Sequence, residues 1–261
     1  AYTGKNKLQK IREHILFFIW KQIQLPLKAY NLKCDIIFCS DYFVPYLHLG
    51  YTTIPVFHDA FFREFPEQYN HLWLQLFNTI GIRAAKRAAF VVTPTQYTLQ
   101  SIQQAYNLDA NKIRIIYEAG KSLETLDTDN NNFENSILNS LNNQEYILHV
   151  GTYDKRKNIP RLIEAFSKLI KESKYTHLKL LLVGKSAHKV GTDNTQEIQE
   201  YINRHQVQKN IIQAGYVSDN DLANCYKKAT LFIFPSLNEG FGLPILEAFQ
   251  QQVPVLIANN T

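Results

Sequence analysis

Pro235-Ser236-Leu237-Asn238-Glu239-Gly240-Phe241-Gly242-Leu243-Pro244-Ile245-Leu246-Glu247 follows directly on the apolar run Leu231-Phe232-Ile233-Phe234. The run reads as a strand and the residues from Leu243 as a helix, with Pro244 in the first turn, where a missing N–H costs little. A strand, loop and helix in this order belong to an open parallel sheet, and the loop lies at the carboxyl end of the strand, where such sheets bind ligands. Gly240 and Gly242 allow a close backbone approach or a positive φ. The N–H groups of Phe241, Gly242 and Leu243 open the helix, and together with its dipole they favour phosphate. Glu239 and Glu247 flank the loop. A carboxylate only accepts hydrogen bonds, which suits sugar or ribose hydroxyls. The plainer reading makes Glu239 a helix cap and Glu247 a solvated acid.

A second segment, Val150-Gly151-Thr152-Tyr153-Asp154-Lys155-Arg156-Lys157-Asn158, follows the apolar run from Tyr146 to Val150. Gly151 permits a tight turn out of a strand, and Arg156 and Lys157 offer cations that can offset a diphosphate's charge. The alternative is a solvated basic loop. In the first half of the chain, Val56-Phe57-His58-Asp59 puts a histidine and an aspartate at a strand's carboxyl end, either facing a cleft or packed under a loop. His71 and His149 lack any supporting context.

The alternation of strand and helix extends along the chain. Short apolar runs read as buried parallel strands at Asp35–Cys39, Ile54–Phe57, Phe90–Val92, Ile113–Ile116, Tyr146–Val150, Leu178–Val183, Ile211–Ala214, Leu231–Phe234 and Val255–Ile257. Helices are expected over Leu8 to Lys28, Gln68 to Ala88, Thr95 to Tyr106 with Thr95 near its cap, Pro160 to Glu172, Thr195 to His205, Asp219 to Ala229 and Leu243 to Gln251. Between Glu124 and Gln144 the chain is rich in Asn and Asp and reads as a surface excursion near a domain boundary. The expected organisation is a first unit over 1–120, a linker over 121–144 and a second unit over 145–261.

In the helix over Leu8 to Lys28, the residues Leu8, Ile11, Ile15, Ile19 and Ile23 form a stripe expected to face the core. A membrane-surface contact through residues 8–27 is the alternative, given Phe17, Phe18 and Trp20 beside Lys10, Arg12 and Lys21. No apolar run approaches the roughly 20 residues that cross a bilayer. The net charge of +5, from 28 basic and 23 acidic residues, suits an anionic ligand, and no basic arm or basic-aromatic stripe points to nucleic acid. The three cysteines, Cys34, Cys39 and Cys225, form no metal-ligand pattern. They read as buried, reduced thiols of a cytoplasmic protein, which leaves room for peripheral attachment at the inner face of a membrane. The absence of methionine and an end four residues past an apolar strand lead us to expect a fragment, with both units incomplete.

These residues together resemble family 4 retaining glycosyltransferases of GT-B architecture (glycosyl transferases group 1). In that family a glutamate, seven residues and a second glutamate mark the donor domain, as in Glu239-Gly-Phe-Gly-Leu-Pro-Ile-Leu-Glu247. A glycine-led loop with a basic pair follows its first strand, as at Gly151 and Arg156-Lys157-Asn158. Pro55 to Asp59 and Val91 to Thr95 resemble the acceptor domain, and Gly184, Gly215-Tyr216-Val217 and Pro235 fall at family turns. Many members carry arginine directly after the loop glycine; Thr152 stands there, and Arg156 is taken as the substitute.

The resemblance implies two Rossmann-like parallel-sheet domains facing a cleft, and transfer of a hexose from a nucleoside-diphosphate sugar, GDP-mannose or a UDP-sugar, to a saccharide or lipid-linked acceptor in polysaccharide or glycolipid synthesis. It implies His58, Lys157 and Glu239 at the reacting sugar. Gly151, Arg156, Gly184, Tyr216, Gly240, Phe241, Gly242, Leu243 and Glu247 would bind the donor, Glu239 on hexose hydroxyls and Glu247 on ribose. No metal or other cofactor is expected. A sugar-nucleotide epimerase and a non-catalytic nucleotide-sugar-binding module are the alternatives.

Overall fold

A computed structural model of the chain describes residues 7–123, 133–187 and 192–259. It divides into two compact units, Ala1–Tyr117 and Glu118–Thr261.

In the first unit, α1 (Lys7–Ile19) passes through a π-helical turn, Trp20–Gln24, into α2 (Leu25–Asn31), so the first helix runs past Lys28 to Asn31. The face it buries is not the expected one. Lys21, Pro26 and Ala29 are buried, whereas Ile15, Ile19 and Ile23 are exposed; the side chains of Leu8 and Ile11 lie outside the described residues. Polar anchors explain the rotation. The Lys21 ammonium sits 3.0 Å from Asp41, and Gln22 donates to Val44 O at 3.1 Å and accepts from Tyr46 N at 2.8 Å. These bonds turn the helix's polar side toward the loop after the first strand and leave Leu16, Phe17, Trp20 and the isoleucines in solvent.

Strands β1 (Ile36–Cys39) and β2 (Thr52–Pro55) pair in parallel. Short α3 (Phe61–Glu64) follows, an element the sequence pattern does not announce. The long helix expected from Gln68 is α4 (His71–Leu76), a π-helical turn at Phe77–Gly81 and α5 (Ile82–Arg87). Then β3 (Val91–Thr93), α6 (Gln96–Tyr106) and β4 (Ile113–Ile115) complete the unit. As expected, the Thr95 hydroxyl caps α6, accepting from Thr98 N at 3.0 Å. Phe57 N donates to Val92 O at 2.8 Å, which joins the β1–β2 pair to the parallel β3–β4 pair. Phe57, Phe77 and Ile102 are fully buried at its core. Ile36 and Phe38 are exposed, so β1 is covered on one face and not on both as its apolar run suggested. Cys34 is likewise exposed, while Cys39 and Cys225 are buried.

The second unit is a five-stranded parallel sheet. In chain order its elements are α7 (Ser136–Asn139), β5 (Tyr146–Val150), α8 (Ile159–Leu169), β6 (Lys179–Val183), α9 (Thr195–His205), β7 (Ile211–Gly215), α10 (Asp219–Lys227), β8 (Leu231–Phe234), α11 (Leu243–Gln250) and β9 (Val255–Ile257). The strand order is β7-β6-β5-β8-β9. The two-residue period of the strands sorts its side chains. Tyr146, Leu148, Leu181 and Val183 pack with Tyr226 and Ala248 on one face, and Ile147, Leu180 and Leu182 pack with Ile159, Ile163, Phe166 and Ile198 on the other. In α8, Ile159, Leu162, Ile163 and Phe166 repeat at helical spacing, which makes that helix strongly one-sided. β9 is the last strand of the sheet among the described residues, and its Leu256 and Ile257 are exposed where its apolar run suggested burial.

Residues 133–144, read from composition as part of a linker, belong to this core. Phe133, Leu138 and Leu141 pack beside Tyr146, and the buried Asp221 carboxylate accepts from Glu134 N at 2.8 Å and Asn135 N at 3.0 Å. Counting Asn and Asp hid three well-spaced apolar anchors. The rest of that stretch, 124–132, lies outside the described residues. Among the described residues no helix is long and apolar enough to cross a membrane.

Candidate functional site

From β5 the chain adds β6 and β7 on one side, then crosses back and adds β8 and β9 on the other. The helices after β5 and β8 leave on opposite faces: α8 packs with Ile147 and Leu180, and α11, through Ala248, packs with Tyr146 and Leu181. The strand order therefore reverses between β5 and β8, and it is above the carboxyl ends at such a switch point that doubly wound sheets form their ligand crevice.

The two loops at that crevice are tied together. Leu237 N donates to Arg156 O at 2.7 Å, Asn158 Nδ2 to Pro235 O at 3.3 Å, and Arg156 Nη1 to Asn238 O at 3.1 Å. Lys155–Lys157 form one 3-10 turn, opened by the Asp154 carboxylate accepting from Arg156 N and closed by Asn158 at φ 55°. This turn buries Lys157, which is 8% exposed. Its Nζ stands 2.6 Å from Glu239 Oε1 and 4.7 Å from the centre of the Phe234 ring. Arg156 reaches the other oxygen of the same carboxylate at 3.8 Å and Asp154 at 3.4 Å. Two cations of one loop thus converge on an acid of the other.

Gly242, at φ 93°, is the residue before α11 and offers no side chain to cap it. Pro244 carries no N–H and Ile245 N donates to Gly242 O at 2.9 Å, so the amides a ligand would meet are those of Phe241, Gly242 and Leu243. Gly184 has a different task. A Cβ there would stand 1.9 Å from Gly151 O, so this glycine lets the turn after β6 pass against the Gly151 backbone. Behind Gly151 lies His149, which the sequence offered no reason to select. It is fully buried, with Nδ1 3.0 Å from Ile233 O, while Nε2 has no hydrogen-bond partner among the described residues. Burial, helped by the Lys157 charge, pushes its pKa down to about 4, so the ring is neutral at pH 7.

Glu247 lies on α11, and its Oε2 accepts from the Tyr226 hydroxyl at 2.9 Å. Nearby, Lys121 pairs with Asp219, which raises the ammonium's pKa, and Tyr216 and Glu247 lie close enough to raise it further. Tyr216 is 76% exposed, with the Lys185 ammonium 5.6 Å from its ring centre. The residues selected in this unit, Gly151, Arg156, Lys157, Gly184, Tyr216, Glu239, Gly240, Phe241, Gly242, Leu243 and Glu247, all stand at or just beyond the carboxyl edge of the sheet. Asp154, Phe234 and Lys121 join them without having been selected, and Tyr226, near the end of α10, reaches Glu247 through its hydroxyl. His58 belongs to the first unit, where its Nε2 is 3.0 Å from Ser40 O after β1 and its ring is edge-on to Tyr42.

The family model described as glycosyl transferases group 1 matches residues 130–261, half of the chain, and that described as glycosyltransferase family 4 matches residues 4–119. The chain belongs to the glycosyl transferases group 1 family. Among curated relatives, this family member is 37% identical over 118 residues to O-antigen chain mannosyltransferase B of Escherichia coli, covering 45% of the chain and 29% of that protein. It is 23% identical over 259 residues to O-antigen chain mannosyltransferase RfbU of Salmonella typhimurium, covering 98% of the chain and 65% of that protein. The chain spans less than two thirds of the length of either. Anabaena Alr3699/HepE, solved in complex with UDP-glucose, superposes with a TM-score of 0.68 at 19% identity, over 91% of the chain and 62% of that structure. The fold is therefore α/β, of the GT-B type.

Proposed function

We propose that this glycosyl transferases group 1 chain takes part in retaining transfer of a hexose from a nucleoside-diphosphate sugar to a saccharide or lipid-linked acceptor during surface-polysaccharide synthesis. The observation that carries the reading is the convergence of Arg156 and Lys157 on Glu239, beside the uncapped start of α11. In the reaction a diphosphate leaves while positive charge develops on the sugar. Groups fixed where the phosphate charge grows stabilise that transition state, and Lys157, Arg156 and the amides of Phe241, Gly242 and Leu243 are assigned to it. Glu239 takes hexose hydroxyls, Glu247 the ribose, and His58 the acceptor side. These cations do the work a divalent ion does elsewhere, so EDTA should leave turnover unchanged. The mannosyltransferase relatives support mannose as the sugar, so GDP-mannose enters the screen; the UDP-glucose complex of the Anabaena neighbour keeps UDP-sugars in it.

The test is a thermal-shift screen of GDP-, UDP- and ADP-sugars, followed by product analysis of the stabilising donor with and without saccharide acceptors. Stabilisation by one nucleotide class and acceptor-dependent product support the reading; sugar rearrangement without acceptor, or tight binding without turnover, refutes it.

The exposed apolar side of α1 and the π-helical turn, with Phe17 and Trp20, is assigned to the membrane surface where a lipid-linked acceptor would lie. Anionic phospholipid vesicles should shift Trp20 fluorescence to the blue, and an unchanged spectrum would refute the contact.

A further inference from the structure

Tyr226 stands out among the buried groups that the proposed reaction does not use. It lies on α10, is fully buried, and packs edge-on against Phe232 with ring centres 5.4 Å apart. Its only polar atom is at the end of a ring fixed on every side, and that atom donates to Glu247 Oε2 at 2.9 Å. A buried phenol beside a carboxylate stays protonated, since burial first and the Glu247 charge second both push its pKa up. The bond is therefore a donor aimed at an anionic acceptor, the stronger class of hydrogen bond.

The geometry has a direct consequence for Glu247. A glutamate on the second turn of a helix has three torsions and would sample several rotamers. A donor rooted in the core takes one oxygen and fixes the plane of the carboxylate. The other oxygen, Oε1, accepts no hydrogen bond among the described residues. We propose that Tyr226 is a positioning residue that locks Glu247 so that Oε1 faces outward to receive a nucleotide hydroxyl. This deepens the reading above and rests on Glu247 meeting the ribose.

Tyr226→Phe keeps the ring and removes the bond. The assay is affinity for UDP and GDP compared with their 2′,3′-dideoxy analogues, by calorimetry on the wild type, Tyr226→Phe, Glu247→Gln and the double variant. Wild type should prefer the ribonucleotides. Tyr226→Phe should lose about three- to tenfold of that preference, the span of one hydrogen bond's net contribution, with the dideoxy affinities unchanged. A merely structural tyrosine would weaken all four ligands alike. Tyr146→Phe is the control, because Tyr146 is equally buried in the same core and its hydroxyl donates to Cys225 O at 2.9 Å, away from Glu247.

The double variant removes donor and acceptor together, so it carries no carboxylate stripped of its partner. It should show the same preference as Glu247→Gln alone; a further loss would mean that Tyr226 acts independently and would overturn the proposal. A wild type blind to the ribose hydroxyls overturns the assignment of Glu247 and this inference with it. A wild type that discriminates, with Glu247→Gln losing the preference and Tyr226→Phe keeping it, overturns the inference alone.

Discussion

Lys157→Met tests the crevice most directly, because it keeps an unbranched apolar stem and removes the charge that sits over the Phe234 ring. At an effective dielectric of about 20, two unit charges 2.6 Å apart attract with about 6 kcal/mol and two charges 3.8 Å apart with about 4 kcal/mol, before desolvation is subtracted. Lys157 is thus the stronger partner of Glu239 and Arg156 the weaker. Breaking a buried pair costs about 3–5 kcal/mol when it strands a charge. Here Arg156 remains, and the Glu239 side chain keeps 16% of its surface in water. The loss of stability should accordingly fall nearer 1–2 kcal/mol, a shift in Tm of about 2–4 °C per kcal/mol for a domain of this size. The loss of rate should be larger. One preorganised donor at a developing oxyanion is worth about 10²–10³ in kcat, and Arg156, held by Asp154 and Asn238 O, cannot move into the vacated place without giving up those bonds. Thermal denaturation reads the first quantity, and release of nucleoside diphosphate at saturating donor reads the second. A fall in kcat under threefold in a folded variant would refute the assignment of Lys157 to the leaving group.

Gly184→Ala should destabilise the second unit severely, because its Cβ would overlap a backbone oxygen 1.9 Å away at φ 142°; a variant melting within 2 °C (about 0.5–1 kcal/mol) of wild type would contradict the close approach. Stability should also fall on acidification through His149. Its pKa drops from 6.5 unfolded to about 4 folded, so the unfolded chain binds the extra proton between those values. The contribution is therefore complete above pH 6.5 and is lost as pH falls toward 4. It amounts to about 3 kcal/mol at 1.36 kcal/mol per unit, and His149→Gln should flatten that part of the urea-denaturation profile. Glu239→Gln should bind bare GDP or UDP several-fold tighter, since it frees two cations from their internal counter-charge, while slowing sugar transfer; weaker binding of the bare nucleotide would refute that division of labour.

Much of the crevice is legible in the sequence because its parts are local. Glu239, Gly242 and Glu247 lie within one strand-loop-helix step, and the two-residue and helical periods locate β5, β8, α8 and α11 to within a few residues. What is not legible is made by long-range contact. Tyr226 meets Glu247 only because α10 and α11 pack on the same face of the sheet, and His149 interrupts an otherwise apolar strand with no neighbour in sequence to explain it. The rotation of α1 has the same cause: Asp41 and Val44, beyond the next strand, choose its inward face over the isoleucine stripe.

Charge is where local reading errs most. Arg156 and Lys157 look like an electropositive corner when counted along the chain. In the fold they stand against Asp154 and Glu239, so the four side chains in contact carry formal charges that cancel. A diphosphate cannot be held there by net charge alone. On the proposed reading it would have to displace Glu239 from Lys157, with the amides that open α11 supplying part of the replacement. The same displacement would turn the Glu239 carboxylate from an ion-pair partner into a free acceptor for the hydroxyls of the proposed donor sugar. In the proposed reaction, binding of the diphosphate and capture of the hexose would thereby be coupled through one carboxylate, which is why substituting Glu239 should separate the affinity for the bare nucleotide from the rate of transfer.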